Sequence, residues 1–129
     1  MLNFGNLGGT LYSADTPLCT FKYVNGHFDK SAVHVLCDDE KLRPFLIDNY
    51  LCAREWQIFF EEQVTPSTRQ GLLRDLAATT PIRSYIPEQI LRYTSCRNLA
   101  NNHWVKCDND LSCWEPWQIE DMKKRGIIQ

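Results

Sequence analysis

The dipeptide Asn25-Gly26 lies between two segments rich in β-forming residues, and it constrains the N-terminal third of the chain more than any other feature. Both residues tolerate positive φ, which a two-residue hairpin turn requires. Residues 18–24 alternate weakly between apolar and polar side chains, and residues 32–36 form a second apolar segment. A further strand candidate, residues 10–14, is separated from the first by a turn at residues 15–17. The sequence therefore predicts a small antiparallel β-meander at the N-terminus.

The apolar spacing changes from a strand period to a helical period at residue 38. Helices are predicted over residues 42–49, over 48–63, from Thr65-Pro66 onward and over 88–93. Leu42, Phe45 and Leu46 lie near helical spacing in the first of these segments. Thr65 is suited to cap a helix, and Pro66 to occupy its first position. We expect three or four helices to pack against the meander.

Three tryptophans, Trp104, Trp114 and Trp117, lie close together in the last third of the chain. Aromatic side chains of this size usually anchor a segment to the core, because each buries a large apolar area. Residues 103–107 resemble a strand, and the rest of the segment has no regular period. The whole sequence predicts an α+β fold in one domain, residues 1–129, which consists of a β-rich part (1–37), a helical part (38–93) and an irregular Trp-rich closing segment (94–129).

The composition places the chain among ordinary globular domains. It has 129 residues, of which 43% are hydrophobic and 23% charged, and this excludes a disordered tail or a fibre. No apolar run approaches the ~18 residues that span a bilayer, and the N-terminal residues lack the basic and apolar regions of a secretion leader. We expect a cytoplasmic protein with no membrane partner.

The six cysteines suggest disulfides only in a secreted protein, so we expect reduced thiols, several of them in the core. Cys96, His103, Cys107 and Cys113 supply enough donors for a tetrahedral zinc site. Their spacing argues against one, because structural zinc sites place ligands in close pairs and no such cysteine pair occurs here. We expect no cofactor, and a zinc- or thiol-dependent protein is an alternative. No motif marks a nucleophile or a phosphate-binding loop, so we do not expect an enzyme.

Residues 69–97 contain five arginines and no lysine, against only Asp75 and Glu88. The planar guanidinium group suits carboxylates, phosphates and aromatic faces, so this stretch is a candidate contact surface. A nucleic-acid-binding regulator is one alternative, although such proteins usually have a pI above about 9 and this chain has a pI near 5.9. A solvated surface with local ion pairs is the other interpretation.

Tryptophan and arginine are also the residues most enriched at the energetic centres of protein interfaces. A protein-binding patch is predicted if Trp114 or Trp117 is exposed beside Arg92 or Arg97. The candidate partner-binding residues are Arg69, Arg92, Arg97, Trp104, Trp114 and Trp117.

Four landmarks follow one another over about sixty residues: Trp56, then Pro66-Ser67-Thr68-Arg69, then the segment 98–105, then Trp114-Glu115. In this order and spacing the chain resembles the small N-terminal region of bacterial HipA-like kinases, which are related to toxin–antitoxin systems. Asn101 stands where that family has Asp, and His103 where it has Tyr. The kinase domain has no counterpart in 129 residues, so the resemblance implies a modular role and not kinase activity.

The resemblance implies a non-catalytic module that binds another protein, such as a bacterial kinase, a toxin or a defence complex. The chain would be an antitoxin-like regulator or an inhibitor encoded by a phage or mobile element, acting inside a bacterial cell. Arg69 is a landmark of the family pattern, and we place it in the first turn of the helix that begins at Thr65-Pro66. A cation there opposes the helix dipole, so we expect Arg69 to clamp the loop 98–104 or to bind the anion of a ligand.

Overall fold

A computed structural model describes residues 1–128 and contains a five-stranded antiparallel sheet and four α-helices. The strands are β1 (Gly8–Ser13), β2 (Thr16–Val24), β3 (His27–Phe28), β4 (His34–Val35) and β5 (His103–Cys107). The helices are α1 (Ala53–Gln63), α2 (Leu72–Thr79), α3 (Pro87–Thr94) and α4 (Pro116–Lys124). The predicted α+β fold with an N-terminal meander is confirmed. Among residues 1–128, none of the helices has the length and apolar character that a membrane-spanning segment needs.

The sheet has the order β3-β2-β1-β5, and β4 pairs with β2 on the same edge as β3. Asn25 and Gly26 have φ values of 50° and 84° and form the tight turn between β2 and β3, as predicted. The turn expected at residues 15–17 lies one residue earlier, because Ala14 takes the positive φ and Thr16 already pairs with Ser13. The third predicted strand is shortened to β4. Its first residue, Ala32, instead ends a 3-10 turn (Lys30–Ala32), which the Asp29 carboxylate caps by accepting a hydrogen bond from the Ser31 amide.

The C-terminal segment is more regular than the sequence predicts. Strand β5 pairs with β1 over Gly9–Ser13 and extends the N-terminal sheet. Helix α4 begins at Pro116 with a capping box, in which Glu115 and Gln118 exchange side-chain and backbone hydrogen bonds. Two of the three tryptophans therefore belong to regular elements, Trp104 to β5 and Trp117 to α4.

The aromatic part of the core lies between the sheet and α1, and the same core continues through buried residues of α2, α3 and α4. The indole of Trp56 stacks on Phe21 of β2 and Phe28 of β3, with ring centroids 4.9 and 5.3 Å apart, and Phe60 packs on Phe21 at 5.1 Å. Burying one large apolar side chain stabilises a fold by about 1.5–3 kcal/mol. The Trp56 indole also donates to the Tyr50 carbonyl oxygen, 2.7 Å away. This bond fixes the segment before α1 on the core.

The helix predicted over residues 42–49 is wrong. This segment forms single turns, with i to i+3 bonds such as Ile47 N to Pro44 O, 3.0 Å. Pro44 has no N–H to continue an α-helical pattern. The helix expected from residue 48 begins only at Ala53, because the Asn49 side chain accepts from the Leu51 amide and favours a turn there.

The helix predicted to begin at Thr65-Pro66 starts instead at Leu72. Its N-cap is Gly71, whose φ of 76° is left-handed and interrupts the path from the preceding turn at Pro66–Arg69. Arg69 therefore precedes the helix and does not lie in its first turn. The helix expected after Pro87 is confirmed as α3, with proline at its N-terminus.

Candidate functional site

A cleft of about 850 Å³ opens between two irregular segments, residues 40–48 and residues 98–103. Its floor comes from the C-terminal half of α1, through Phe59, Glu62 and Gln63. The position of the cleft follows from the fold, because α1 packs on the sheet through Trp56, and its last residue, Gln63, donates to the carbonyl oxygens of Cys96 and of His103 in β5. Neither wall is a helix or strand over most of its length, so side chains must hold both walls.

The first wall, residues 40–48, is held by charged side chains that bind backbone groups. Arg43 donates from Nη1 to the Asp48 carbonyl oxygen at 2.7 Å, and its guanidinium lies over the ring of Tyr50, 5.7 Å from the centroid. The carboxylate of Glu55, in the first turn of α1, accepts from the amides of Asp48 and Asn49, both at 2.9 Å. The segment is therefore fixed at its C-terminal end to α1.

The second wall, residues 98–103, is held by a pair of primary amides. Gln63, which is buried, donates to the Cys96 carbonyl oxygen at 2.7 Å, and the Asn101 amide donates back to Gln63 Oε1 at 2.9 Å. Asn98 donates to the Glu62 carbonyl oxygen at 2.6 Å. The last turn of α1 thus determines the shape of this loop.

His103 connects the two walls across the cleft. Its Nε2 lies 2.8 Å from the Leu42 carbonyl oxygen, and because a carbonyl can only accept, the imidazole carries its proton on Nε2. The ring also packs edge-on against Phe59 at 6.3 Å. The cleft is consequently a preformed feature that does not depend on a ligand to bring its walls together.

Two large, exposed apolar side chains lie on the two segments that form the walls of the cleft. Phe45 lines the cleft on the first wall and is 99% exposed. Leu99 lies between the cleft residues Asn98 and Ala100, is fully exposed, and lines a smaller neighbouring pocket on the other side of this loop segment. Neither side chain is covered by the rest of the chain. Single exposed apolar residues are common on proteins, but two fully exposed ones on the two segments that bound one cleft are typical of a surface that another molecule covers.

The charge around the cleft is negative. Its lining includes three carboxylates, those of Glu40, Asp48 and Glu62, against one guanidinium, that of Arg43. The guanidinium is already engaged by the Asp48 carbonyl oxygen and the Tyr50 ring. The site can therefore attract a group that combines positive charge with an apolar surface.

Two of the predicted contact residues, Arg97 and Trp104, lie near this cleft but pack against each other and against Tyr12. The Trp104 ring stacks on Tyr12 with centroids 4.5 Å apart, and the Arg97 guanidinium lies over the same indole at 4.6 Å. The indole N–H donates to the Ala14 carbonyl oxygen at 2.8 Å. Arg97, Trp104 and Tyr12 form a rigid layer on the outer face of the sheet, and both faces of the indole are occupied.

Arg92 and Trp114 are buried, so neither offers the exposed surface that was predicted for it. Arg92 pairs with Glu88 at 2.8 Å and with Asp108 at 2.9 Å. Burial by itself would lower the pKa of Arg92, but the hydrogen bonds to Glu88 and Asp108 outweigh burial and raise it. The indole of Trp114 belongs to the core. These two residues stabilise the fold.

Arg69 and Trp117 are exposed and lie outside the cleft. Arg69 pairs with Asp75 of α2 at 3.0 Å, and not with the loop 98–104 as predicted. Trp117 is 48% exposed, its indole N–H donates to Glu115, and Arg83 lies over its ring at 6.0 Å. Each arginine of the 69–97 stretch is engaged by a carboxylate, a carbonyl or an aromatic ring, and Arg74 makes the longest of these contacts between charged groups, 3.7 Å to Asp75. The structure therefore adds nothing in favour of a phosphate-binding surface.

The four candidate zinc ligands do not form a site. The Nε2 atom of His103 is already hydrogen-bonded to the Leu42 carbonyl oxygen. Within residues 1–128, no group of three or more His, Cys, Asp or Glu side chains is placed to hold a metal ion. All six cysteines are free thiols in the structure.

The sequence did not indicate Phe45, Leu99 or Gln63 as site residues. Phe45 fits a helical period and so resembles a core residue, whereas it lies at the rim of the cleft. Leu99 belongs to the segment 98–105 on which the family resemblance is based. That resemblance was the one sequence feature that could have pointed to Leu99 as a site residue. Comparison with protein-family models, with curated proteins and with solved structures finds no match to this chain.

Proposed function

We propose that this protein is a non-catalytic module that binds another protein through the cleft between residues 40–48 and 98–103. The observation that supports this most directly is the pair of exposed apolar side chains, Phe45 and Leu99, on the two segments that form the walls of a preformed cleft. The expected ligand is a segment of a partner protein that presents apolar side chains next to lysine or arginine.

The energetics favour such a partner. Full burial of a Phe or Leu side chain is worth about 1.5–3 kcal/mol, and both are now in water. Because Gln63, Glu55 and His103 already hold the walls, little conformational entropy is lost when a partner binds. The acidic lining adds attraction for a basic segment and accelerates encounter at low salt.

The biological form of this activity follows from the resemblance to the N-terminal region of HipA-like kinases. A stand-alone copy of such a region would act as an antitoxin-like regulator. It would equally serve a phage or mobile element as an inhibitor of a bacterial toxin or defence complex. In either role it would work in the cytoplasm of a bacterial cell and block its target by occupying a surface.

A capture experiment tests the binding activity. A photo-crosslinking residue is placed at position 100, which is exposed and lines the cleft, so that Phe45 and Leu99 stay in place, and bacterial lysate proteins that attach to it are identified. The same capture is repeated with a cleft variant, Phe45→Ser with Leu99→Ser, and with a matched control, Tyr93→Ser with Leu73→Ser, whose side chains are exposed elsewhere. We expect a protein that crosslinks at the cleft, is retained by the control and is lost with the cleft variant and with rising salt. A protein held equally by all three chains would contradict the proposal.

A second experiment tests the antitoxin-like form. A bacterial HipA-like kinase lacking its N-terminal region is co-expressed with the chain, and growth and binding are measured. We expect relief of toxicity by the wild type and by the control variant, but not by the cleft variant. If the kinase neither binds nor is inhibited, the antitoxin-like form is wrong, and a target of another kind must account for captured protein.

A further inference from the structure

Strand β4 is an edge strand whose outer side has no neighbour. It pairs with β2 only, and no other strand among residues 1–128 lies against it. The Leu36 amide donates to the Leu18 carbonyl oxygen at 2.8 Å and therefore points towards β2. Successive amides of a strand face opposite edges, so the N–H and C=O groups of Val35 point away from the sheet. They form the outer edge of β4.

The apolar side chains of this edge are also uncovered. Val35 lies directly opposite Cys19, which is fully buried, yet Val35 itself is 52% exposed. The next residue, Leu36, is 56% exposed and belongs to the opposite face, because side chains alternate along a strand. An unpaired backbone edge that carries an exposed apolar side chain on each face is a template for an added strand.

Three exposed carboxylates lie just beyond β4, those of Asp38, Asp39 and Glu40. Within residues 1–128, no lysine or arginine side chain forms an ion pair with them. Lys41 comes next, so residues 34–41 carry three negative charges against one positive charge. A second copy of this chain would bring the same excess of negative charge to the edge. A segment with lysine or arginine beside its apolar residues is attracted instead.

The edge leads directly into the cleft. Glu40 is the last of the three carboxylates and also lines the cleft, where the first wall begins. Val35 and Glu40 are five positions apart, and an extended chain spans about 3.3–3.6 Å per residue, so one segment of about ten residues reaches both the edge and the cleft. The two surfaces also require the same ligand chemistry, which is apolar side chains beside positive charge.

We propose that the partner segment binds in an extended conformation, as an antiparallel strand added to β4, with basic residues along residues 38–40 and one end in the cleft. This inference rests on the proposed function, because it states how the same partner segment is recognised. Val35 exchanges both of its backbone hydrogen bonds with one partner residue, and the side chains of Val35 and Leu36 become covered. Because β4 is short, this pair of bonds fixes the register, while the charges and the cleft supply the rest of the affinity.

Synthetic peptides test this mode of binding on the wild-type chain. The probe has three lysines followed by alternating valine and threonine, about ten residues in all. The control has the same residues in reverse order. An antiparallel strand places its earlier residues beside residues 38–40, so fluorescence anisotropy should show the probe binding about tenfold more tightly than the control. Binding of the probe should slow hydrogen exchange of the Val35 amide by about tenfold or more.

Methylated peptides separate strand addition from attraction by charge alone. Only every second amide of an added strand faces β4, so the probe is N-methylated either at its valines or at its threonines. We expect one set of methyl groups to weaken binding by about tenfold or more and the other set to be tolerated. Equal effects of the two sets, equal binding of the probe and its reverse, or an unprotected Val35 amide would overturn the proposal.

A pair of variants extends the test to the captured partner protein. Val35→Pro removes the outward N–H without breaking a bond to β2, a change that edge strands tolerate, whereas Val35→Ala keeps the N–H. With the crosslinking residue at position 100, we expect capture to be lost in Val35→Pro and kept in Val35→Ala. Capture that requires Phe45 and Leu99 but not the Val35 amide would leave the proposed function standing and refute strand addition. A wild-type dimer that Val35→Pro dissociates would also refute it, because a second copy would then cover the edge.

Discussion

Arg92 and Glu88 form a buried ion pair on one face of α3, with 2.8 Å between Nε and Oε2 and only 6% and 4% of the two side chains exposed. The pair also joins distant parts of the chain. Glu88 Oε1 accepts from the Asn6 amide at 2.9 Å, and Arg92 donates to the Asn6 carbonyl oxygen at 2.8 Å and to Asp108. One pair of side chains therefore connects the loop before β1, the helix α3 and the end of β5.

Removing one partner of this pair should be strongly destabilising. We expect Arg92→Met to lower the free energy of unfolding by about 3–5 kcal/mol, because it leaves the Glu88 carboxylate buried without a counter-charge. Urea unfolding measures this. The matched control is Arg125→Met, which breaks a pair of the same i, i+4 spacing with Asp121 at the surface. That change should cost only about 0.3–0.5 kcal/mol. Equal costs for the two variants would show that burial of the Arg92 pair has no energetic consequence.

Gly9→Ala should disrupt the pairing of β1 with β5. Gly9 has a φ of 149°, and a Cβ there would contact the Lys106 carbonyl oxygen and lie 2.9 Å from the Cys107 Cα. The backbone conformation alone should cost of order 1–3 kcal/mol, and the contact with β5 adds to that. Thermal unfolding measures the loss. Gly126→Ala is the control, because its φ of 75° is also left-handed but a Cβ there meets nothing within 4 Å. A loss at Gly126 as large as that at Gly9 would contradict the role of close packing.

The free energy of unfolding should fall as the pH is lowered from about 4 to about 2, because Asp110 becomes protonated in that range. Hydrogen bonds from the Ser112 hydroxyl and amide, with help from Lys22, lower the pKa of Asp110 to about 2. The unfolded chain has the ordinary aspartate value of about 3.9, so the carboxylate stabilises the fold above that pH and the contribution is lost as the pH falls towards 2. Urea unfolding at several pH values should show a weaker dependence for Asp110→Asn. Asp38→Asn removes one surface charge elsewhere and should keep the wild-type dependence. If both variants behave alike, the Asp110 contacts do not contribute.

Gln63→Leu should loosen the second wall of the cleft. The change removes the amide that binds the Cys96 carbonyl oxygen and Asn101, and it leaves buried polar groups unpaired. We expect a loss of about 1–3 kcal/mol in the free energy of unfolding. Hydrogen exchange of the amides in residues 97–103 should become about tenfold faster or more. Gln70→Leu, an exposed site, is the control and should change neither quantity. Unchanged exchange in Gln63→Leu would mean that backbone contacts alone hold this wall.

The elements that the sequence predicted well depend on local interactions. The Asn25-Gly26 turn, the start of α3 at Pro87 and the strand β5 each follow from residues that lie next to one another. The errors occur where a local pattern competes with another group. Gly71 delays α2 through its left-handed φ, and the Asn49 side chain delays α1 by binding the backbone of Leu51.

The site was less predictable than the fold, and the arginines show why. Arg92 and Arg97 are equivalent in the sequence, yet Arg92 is buried by Glu88, Asp108 and Asn6, whereas Arg97 lies on an indole of the sheet face. Phe45 has the spacing of a core residue but has no neighbour to cover it. The exposure of a side chain depends on which other residues pack on it, and a local sequence pattern does not contain that information.

By itself the sequence determined the α+β class, the N-terminal meander and the positions of its clearest turns, because backbone preferences and apolar periodicity act over a few residues. Only the tertiary structure decided which charges are buried, and that α1 and its Gln63 shape a cleft. The physical reason is distance along the chain. These relationships join residues up to 86 positions apart, and their energies depend on packing that exists only once the sheet and helices have assembled.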